Sequence, residues 1–128
     1  MATRNDHSDA TTALQQLKEM VREFCEAREW DQFHNPKDLA IGIITEAGEL
    51  LESFRFKSAV EIEALLSDPD AKARIAEEAV DVLYFILRFA QKYNIDLATE
   101  FHKKMRINEA RYPIVSAKGT NKKYTDLT

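Results

Sequence analysis

A chain of 128 residues with 45% hydrophobic and 31% charged residues fits one soluble domain and is too short for two. Only 3 Gly and 3 Pro occur, which argues against an all-β fold with its many tight turns, and the formal net charge of −4 argues against a broad basic surface for nucleic acid. The single Cys25 precludes an internal disulfide, and its place on an apolar stripe reads as core filling rather than as a nucleophile.

No apolar run approaches the roughly 18 residues of a membrane span, and the polar stretch Met1–Asp9 has no signal-peptide core. A cytoplasmic protein is expected, with no membrane partner and no nucleic-acid partner. Residues 1–9 read as a disordered lead-in, 10–113 as the folded domain, and 114–128 as a polar tail, disordered or laid over a neighbouring subunit.

From Ala10 to about Glu29, the residues Leu14, Leu17, Met20, Val21, Phe24 and Cys25 recur at three- and four-residue steps, the period of an amphipathic helix. Trp30–His34 breaks the period as a loop. Asn35-Pro36 then supplies an N-cap and a first-position proline for a second helix reaching about Phe56. Ser58 with Glu61 forms a capping box for a short third helix ending near Ser67. A long fourth helix is expected from Ala71 to Tyr93, closed by Asn94. Asp96 caps a last helix that runs to Arg111 and stops at Tyr112-Pro113. The fold class is all-α: a bundle of four main helices, oligomeric because the fourth helix is apolar on more than one side.

Two carboxylates stand where a solvated face does not explain them. Glu46 interrupts the line Leu39, Ile43, Leu50, Phe54, and Glu78 interrupts the line Ile75, Val82, Phe85, Phe89. A buried carboxylate without a partner takes up a proton, so each position calls for a cation or strong donors. Each is followed three residues on by a second acid, Glu49 and Asp81, a spacing that puts both side chains on one helix face, about 5–6 Å apart. Two such helices in contact gather four carboxylates, and an all-oxygen ligand set suits Mg²⁺, with Mn²⁺ as a substitute. Salt bridging on a solvated face accounts for Glu52, Glu61 and Glu77 but fits Glu46 and Glu78 poorly. A di-iron bundle is disfavoured, since none of His7, His34 and His102 follows a Glu by three residues.

Glu46-Ala47-Gly48-Glu49 with Glu78-Ala79-Val80-Asp81 resembles the E-x-x-E…E-x-x-D motif of the MazG-like all-α NTP pyrophosphatases. Three further stretches resemble the dCTP pyrophosphatase branch of that superfamily: Glu29–Pro36, Lys104–Pro113 and Lys123–Leu127. The resemblance covers about Leu14 to Leu127. It implies hydrolysis of a nucleoside triphosphate between the α and β phosphates, with Glu46, Glu49, Glu78 and Asp81 as the catalytic Mg²⁺ ligands. Lys104 and Arg111 would offset phosphate charge, and Asn108 would hydrogen-bond the nucleotide. Trp30, His34, Phe56, Phe85 and Tyr112 would line the nucleotide pocket. The plainer readings are a core cap for Trp30, a solvated charge for Lys104 and a helix terminator for Tyr112. The chain departs from the branch at Val21, where a His is expected, at Phe56 in place of a Trp, and at Phe85 in place of a Tyr, with Tyr84 beside it. The implied substrate is dCTP or a modified dCTP, within a homodimer or homotetramer. A dUTP or general NTP hydrolase, or a non-catalytic helical binding module, are the alternatives.

Overall fold

The computed structural model describes residues 6–128, so the expectation of disorder over 1–5 lies outside the described residues. Two compact units divide the chain, one ending at Asn94 and the other spanning Ile95–Thr128. Among the described residues every regular element is helical.

In the first unit, α1 spans Leu14–Ala27, four residues later than the expected start at Ala10. The hydroxyls explain the delay. Ser8 N–H donates to Thr11 Oγ1 at 3.1 Å, and the N–H groups of Thr11 and Thr12 both donate to the Ser8 carbonyl at 3.0 Å. That side-chain turn competes with helix formation. A short 3-10 turn, Asp31–Phe33, follows α1.

Helix α2, Pro36–Glu52, begins as the sequence signals, with Asn35 Oδ1 accepting from the Asp38 N–H at 2.8 Å. It ends short of Phe56 because the chain turns at Phe54 and Phe56 adopts φ 62°, incompatible with a continuing helix. Ser58 caps α3, Ala59–Ser67, through the Glu61 N–H. Helix α4, Pro69–Lys92, starts two residues before the expected Ala71, since Pro69 fits the first helical position behind the Asp68 cap. Asn94, at φ 54°, closes it.

Helix α4 is the centre of this unit, with α2 packed most extensively on it, then α1 and α3. The core consists of Val21 and Cys25 from α1, Leu39 from α2, and Ala71, Leu87 and Ala90 from α4. A close approach of α2 to α4 depends on Gly42, where an added Cβ would lie 2.5 Å from the Phe85 ring. Cys25 is fully buried, as its stripe position implies, and its thiol lies 3.1 Å from the Tyr84 hydroxyl.

In the second unit, α5 spans Leu97–Arg111, capped by Asp96 Oδ1 accepting from the Thr99 N–H at 2.9 Å. The tail carries more local structure than its polarity suggests, with α6 at Ile114–Ala117 and a 3-10 turn at Tyr124–Asp126. Tyr124 donates its N–H to the Tyr112 hydroxyl at 3.2 Å, and the two rings meet edge to face. Among the described residues no helix is long and apolar enough to cross a membrane.

Candidate active site

The packing of α2 on α4 brings the two acidic motifs together. One carboxylate oxygen from each of Glu46, Glu49 and Glu78 lies within 4.8 Å of the others. Glu46 and Glu78 each turn one oxygen, Oε2, out of solvent, and neither Oε2 atom has a hydrogen-bond partner among the described residues. A buried carboxylate oxygen left so is costly, and a divalent cation is the group that satisfies several at once.

Electrostatics agree. Glu46 has its pKa raised above 4.5, first by removal from water and then by the hydrogen bond and charge of Glu49, with Asp81 and Glu78 adding to it. Glu78 is raised for the same reasons, desolvation first and Glu49 next. Asp81 is exposed and stands outside the three-oxygen cluster, yet its charge acts on both half-buried acids. The donor set of hard carboxylate oxygens fits Mg²⁺ or Mn²⁺.

Beside the acids opens a cavity of about 370 Å³ lined by Phe24, Trp30, Glu46, Asp81, Tyr84 and Phe85. One wall is acidic and the rest aromatic. Phe24 meets Trp30 edge to face at 5.6 Å and Tyr84 at 6.2 Å, and Tyr84 meets Phe85 at 5.1 Å. Of the expected pocket residues in this unit, Trp30 and Phe85 therefore share the cavity with the acids. Phe56 does not line it; its ring is 90% exposed, under the Arg55 guanidinium. His34 is also elsewhere, its Nδ1 accepting from Arg88 Nε at 3.0 Å. Val21 lies on an apolar groove between α1 and α4 with Met20, Phe24 and Tyr84.

In the second unit, Lys104, Asn108 and Arg111 fall on one stripe of α5 at four- and three-residue steps. Asn108 is half-buried, and its carbonyl accepts from the Tyr112 N–H at 2.8 Å. Arg111 lays its guanidinium over the Tyr124 ring at 4.6 Å. Tyr112 is the C-cap of α5, so its role as helix terminator is realised.

Two cavity residues escape a reading of spacing alone. Phe24 reads only as part of the stripe of α1, and Tyr84 only as the neighbour of Phe85. The one signal in the sequence is the aromatic pair Tyr84-Phe85 just after the second acidic motif, and it does not reach Phe24.

The sequence profile of the MazG-like family matches residues 41–127, from within α2 to the end of the tail. Rat dCTP pyrophosphatase 1 is 36% identical over 114 residues, which cover 89% of this chain and 67% of that protein. The human protein of the same name is 35% identical over the same length. A crystal structure of a pyrophosphatase from Archaeoglobus fulgidus superposes with a TM-score of 0.73 at 35% identity, covering 78% of this chain and 92% of its own. With two acidic motifs on packed helices and this extent of similarity, the chain belongs to the MazG-like family.

Proposed function

We propose that this protein is a nucleoside triphosphate pyrophosphatase that releases pyrophosphate from a deoxynucleoside triphosphate, dCTP or a modified dCTP, in nucleotide-pool clearance. The observation that carries the reading is the adjacency of three clustered carboxylates, two with an unpartnered oxygen, to an aromatic-walled cavity. The names of the similar proteins support the choice of reaction and base.

Glu46, Glu49, Glu78 and Asp81 would hold Mg²⁺, with Mn²⁺ able to substitute. When bound, the metal supplies charge to offset the triphosphate and lowers the pKa of water. The chain's residues do the rest. Trp30 and Phe85 offer ring faces to a base, and Phe24 and Tyr84 complete the wall around it. Lys104 and Arg111 offset phosphate charge, and Asn108 hydrogen-bonds the nucleotide. A carboxylate of the cluster takes the proton of the attacking water while the α–β bridging oxygen leaves with pyrophosphate.

A dUTP or general NTP hydrolase is the second reading, favoured by the cavity's walls. Ring faces recognise any base plane, and the Tyr84 hydroxyl is already engaged with Cys25. Exposed apolar residues on one stripe of α2, Ile41, Ile44 and Leu51, support a homodimer or homotetramer.

The deciding experiment is pyrophosphate release from a panel of canonical and modified NTPs and dNTPs, with Mg²⁺ and with EDTA. Metal-dependent release confined to cytosine deoxynucleotides is the expected result. Release from every triphosphate moves the assignment to a general hydrolase, and none from a folded sample returns it to a non-catalytic helical module.

A further inference from the structure

We propose that Arg88 is a positioning residue for the base wall, its buried guanidinium holding the Trp30–His34 segment in place at the cavity. The inference rests on the functional reading above and adds to it a group that contacts neither the clustered carboxylates of α2 and α4 nor substrate.

Arg88 is 1% exposed, in the middle of the apolar run Ile86-Leu87-Arg88-Phe89-Ala90. A guanidinium in such a place needs a partner for each face of its fork. Its Nε donates to His34 Nδ1 at 3.0 Å, and its two terminal nitrogens donate to Asp31 Oδ1 at 2.8 Å and Gln91 Oε1 at 2.6 Å. One turn further along α4, Lys92 Nζ donates to the carbonyls of Asp31, at 2.8 Å, and of His34, and lies 3.2 Å from Asp31 Oδ1. Two successive turns of α4 thus grip both ends of the 3-10 turn that follows Trp30.

The segment's other bonds are local, from the Phe33 N–H to the Trp30 carbonyl at 2.9 Å, the His34 N–H to the Asp31 carbonyl at 3.1 Å, and the Gln32 amide to the Glu29 carbonyl at 2.9 Å, and none ties it to another helix. A three-residue 3-10 turn has no stability of its own. Beyond the Trp30 N–H bond to the Cys25 carbonyl at 3.0 Å, the indole meets, among the described residues, only Phe24, edge to face at 5.6 Å and itself 41% exposed, and the Arg28 guanidinium at 6.0 Å. Yet Trp30 lines the same cavity as Phe85, which is one turn before Arg88 on α4. The latch therefore references one lining residue of the cavity to the helix that carries Tyr84, Phe85 and two of the acids. Because the His34 Nδ1 accepts from Arg88, the ring is held neutral with its proton on Nε2.

The test uses the whole chain and its sole tryptophan, Trp30, as reporter. Arg88→Met, Arg88→Lys and the surface variant Asp31→Asn are compared with wild type in steady-state kinetics, in inhibition by inorganic tripolyphosphate, and in Trp30 emission with acrylamide quenching. Arg88→Met is expected to raise KM for the preferred nucleotide about tenfold, the loss of one ordered stacking contact, with kcat little changed. Asp31→Asn moves KM in the same direction, and Arg88→Lys is intermediate. Inhibition by tripolyphosphate, which has no base, stays as in wild type, and Trp30 becomes more quenchable. Should Arg88→Met not fold, Asp31→Asn carries the test. Unchanged Trp30 emission in the folded variants, or an equal weakening of tripolyphosphate, overturns the proposal. A wild type that hydrolyses no nucleotide defeats the functional reading instead, and the Trp30 measurements still decide whether the latch exists.

Discussion

Glu46 and Glu78 each hide an oxygen from water while Glu49 and Asp81 remain exposed, and this asymmetry separates the expected effects of substitution. Glu49→Gln and Asp81→Asn should each cut turnover by about 100-fold or more, since a metal ligand is lost from the reacting centre. Their thermal midpoints in EDTA should match wild type, because nothing packed is disturbed. Near-normal rates in either variant would remove that residue from the metal set. Millimolar Mg²⁺ should raise the wild-type midpoint, as any ligand of the folded state does, and should not raise that of Glu46→Gln. At the latch, His34 has its pKa held below 6.5 by burial first, then by the charges of Arg88 and Lys92, against the opposing pull of Asp31. The unfolded chain then binds the proton more readily, so this contribution is complete above pH 6.5 and is lost as pH falls through the depressed folded value. Asp31, held below 3.8 chiefly by its bond to Lys92, adds a second loss at lower pH of the same sign. Glu46 and Glu78, raised above 4.5, act with the opposite sign as pH falls, so the test is the difference between wild type and His34→Gln: the wild-type thermal midpoint should lose more than that of the variant between pH 8 and the depressed His34 value.

Gly42 decides how near α2 can come to α4, and therefore how closely the acidic motifs approach. Alanine there would drive its Cβ to 2.5 Å from the Phe85 ring, so the helix pair must part or the ring must swing. Gly42→Ala should cost about 1–3 kcal/mol, read as a lowered denaturation midpoint at unchanged m-value. It should also displace a cavity wall and weaken nucleotide binding. Elements whose ends are set by neighbouring residues are legible in the sequence: the Asn35, Ser58 and Asp96 caps all engage the N–H three residues on, and Asp68 does the same although the sequence points to a start at Ala71. The start of α1 differs from the expected Ala10 because Thr11 Oγ1 bonds both the N–H and the carbonyl of Ser8, a competition invisible to hydrophobic period. The acidic motifs could be read because a carboxylate on an apolar line is an anomaly at helical spacing. Phe24, Tyr84 and the Arg88 latch could not, because their meaning comes from registry between helices; Arg88 meets partners 54 and 57 residues away. His34 and Phe56 show the converse, matching a motif in sequence while the backbone places them away from the cavity.

A set of small and medium side chains forms the buried core of the first unit, while Ile44 is 72% and Leu51 62% exposed. Such a distribution supports the proposed homodimer or homotetramer. Light scattering should give at least twice the mass of one chain, and Ile44→Glu should reduce it; a wild type of single-chain mass removes the oligomer from the proposal. The fully buried thiol of Cys25, wedged between α1 and α4 against the Tyr84 hydroxyl, has a kinetic consequence as well. With no other cysteine in the chain, a thiol reagent in native buffer can react only when α1 lifts from α4. The labelling rate is thus a clock for that local opening, and its slowing by nucleotide would reveal how far the cavity's occupancy clamps the helix behind it.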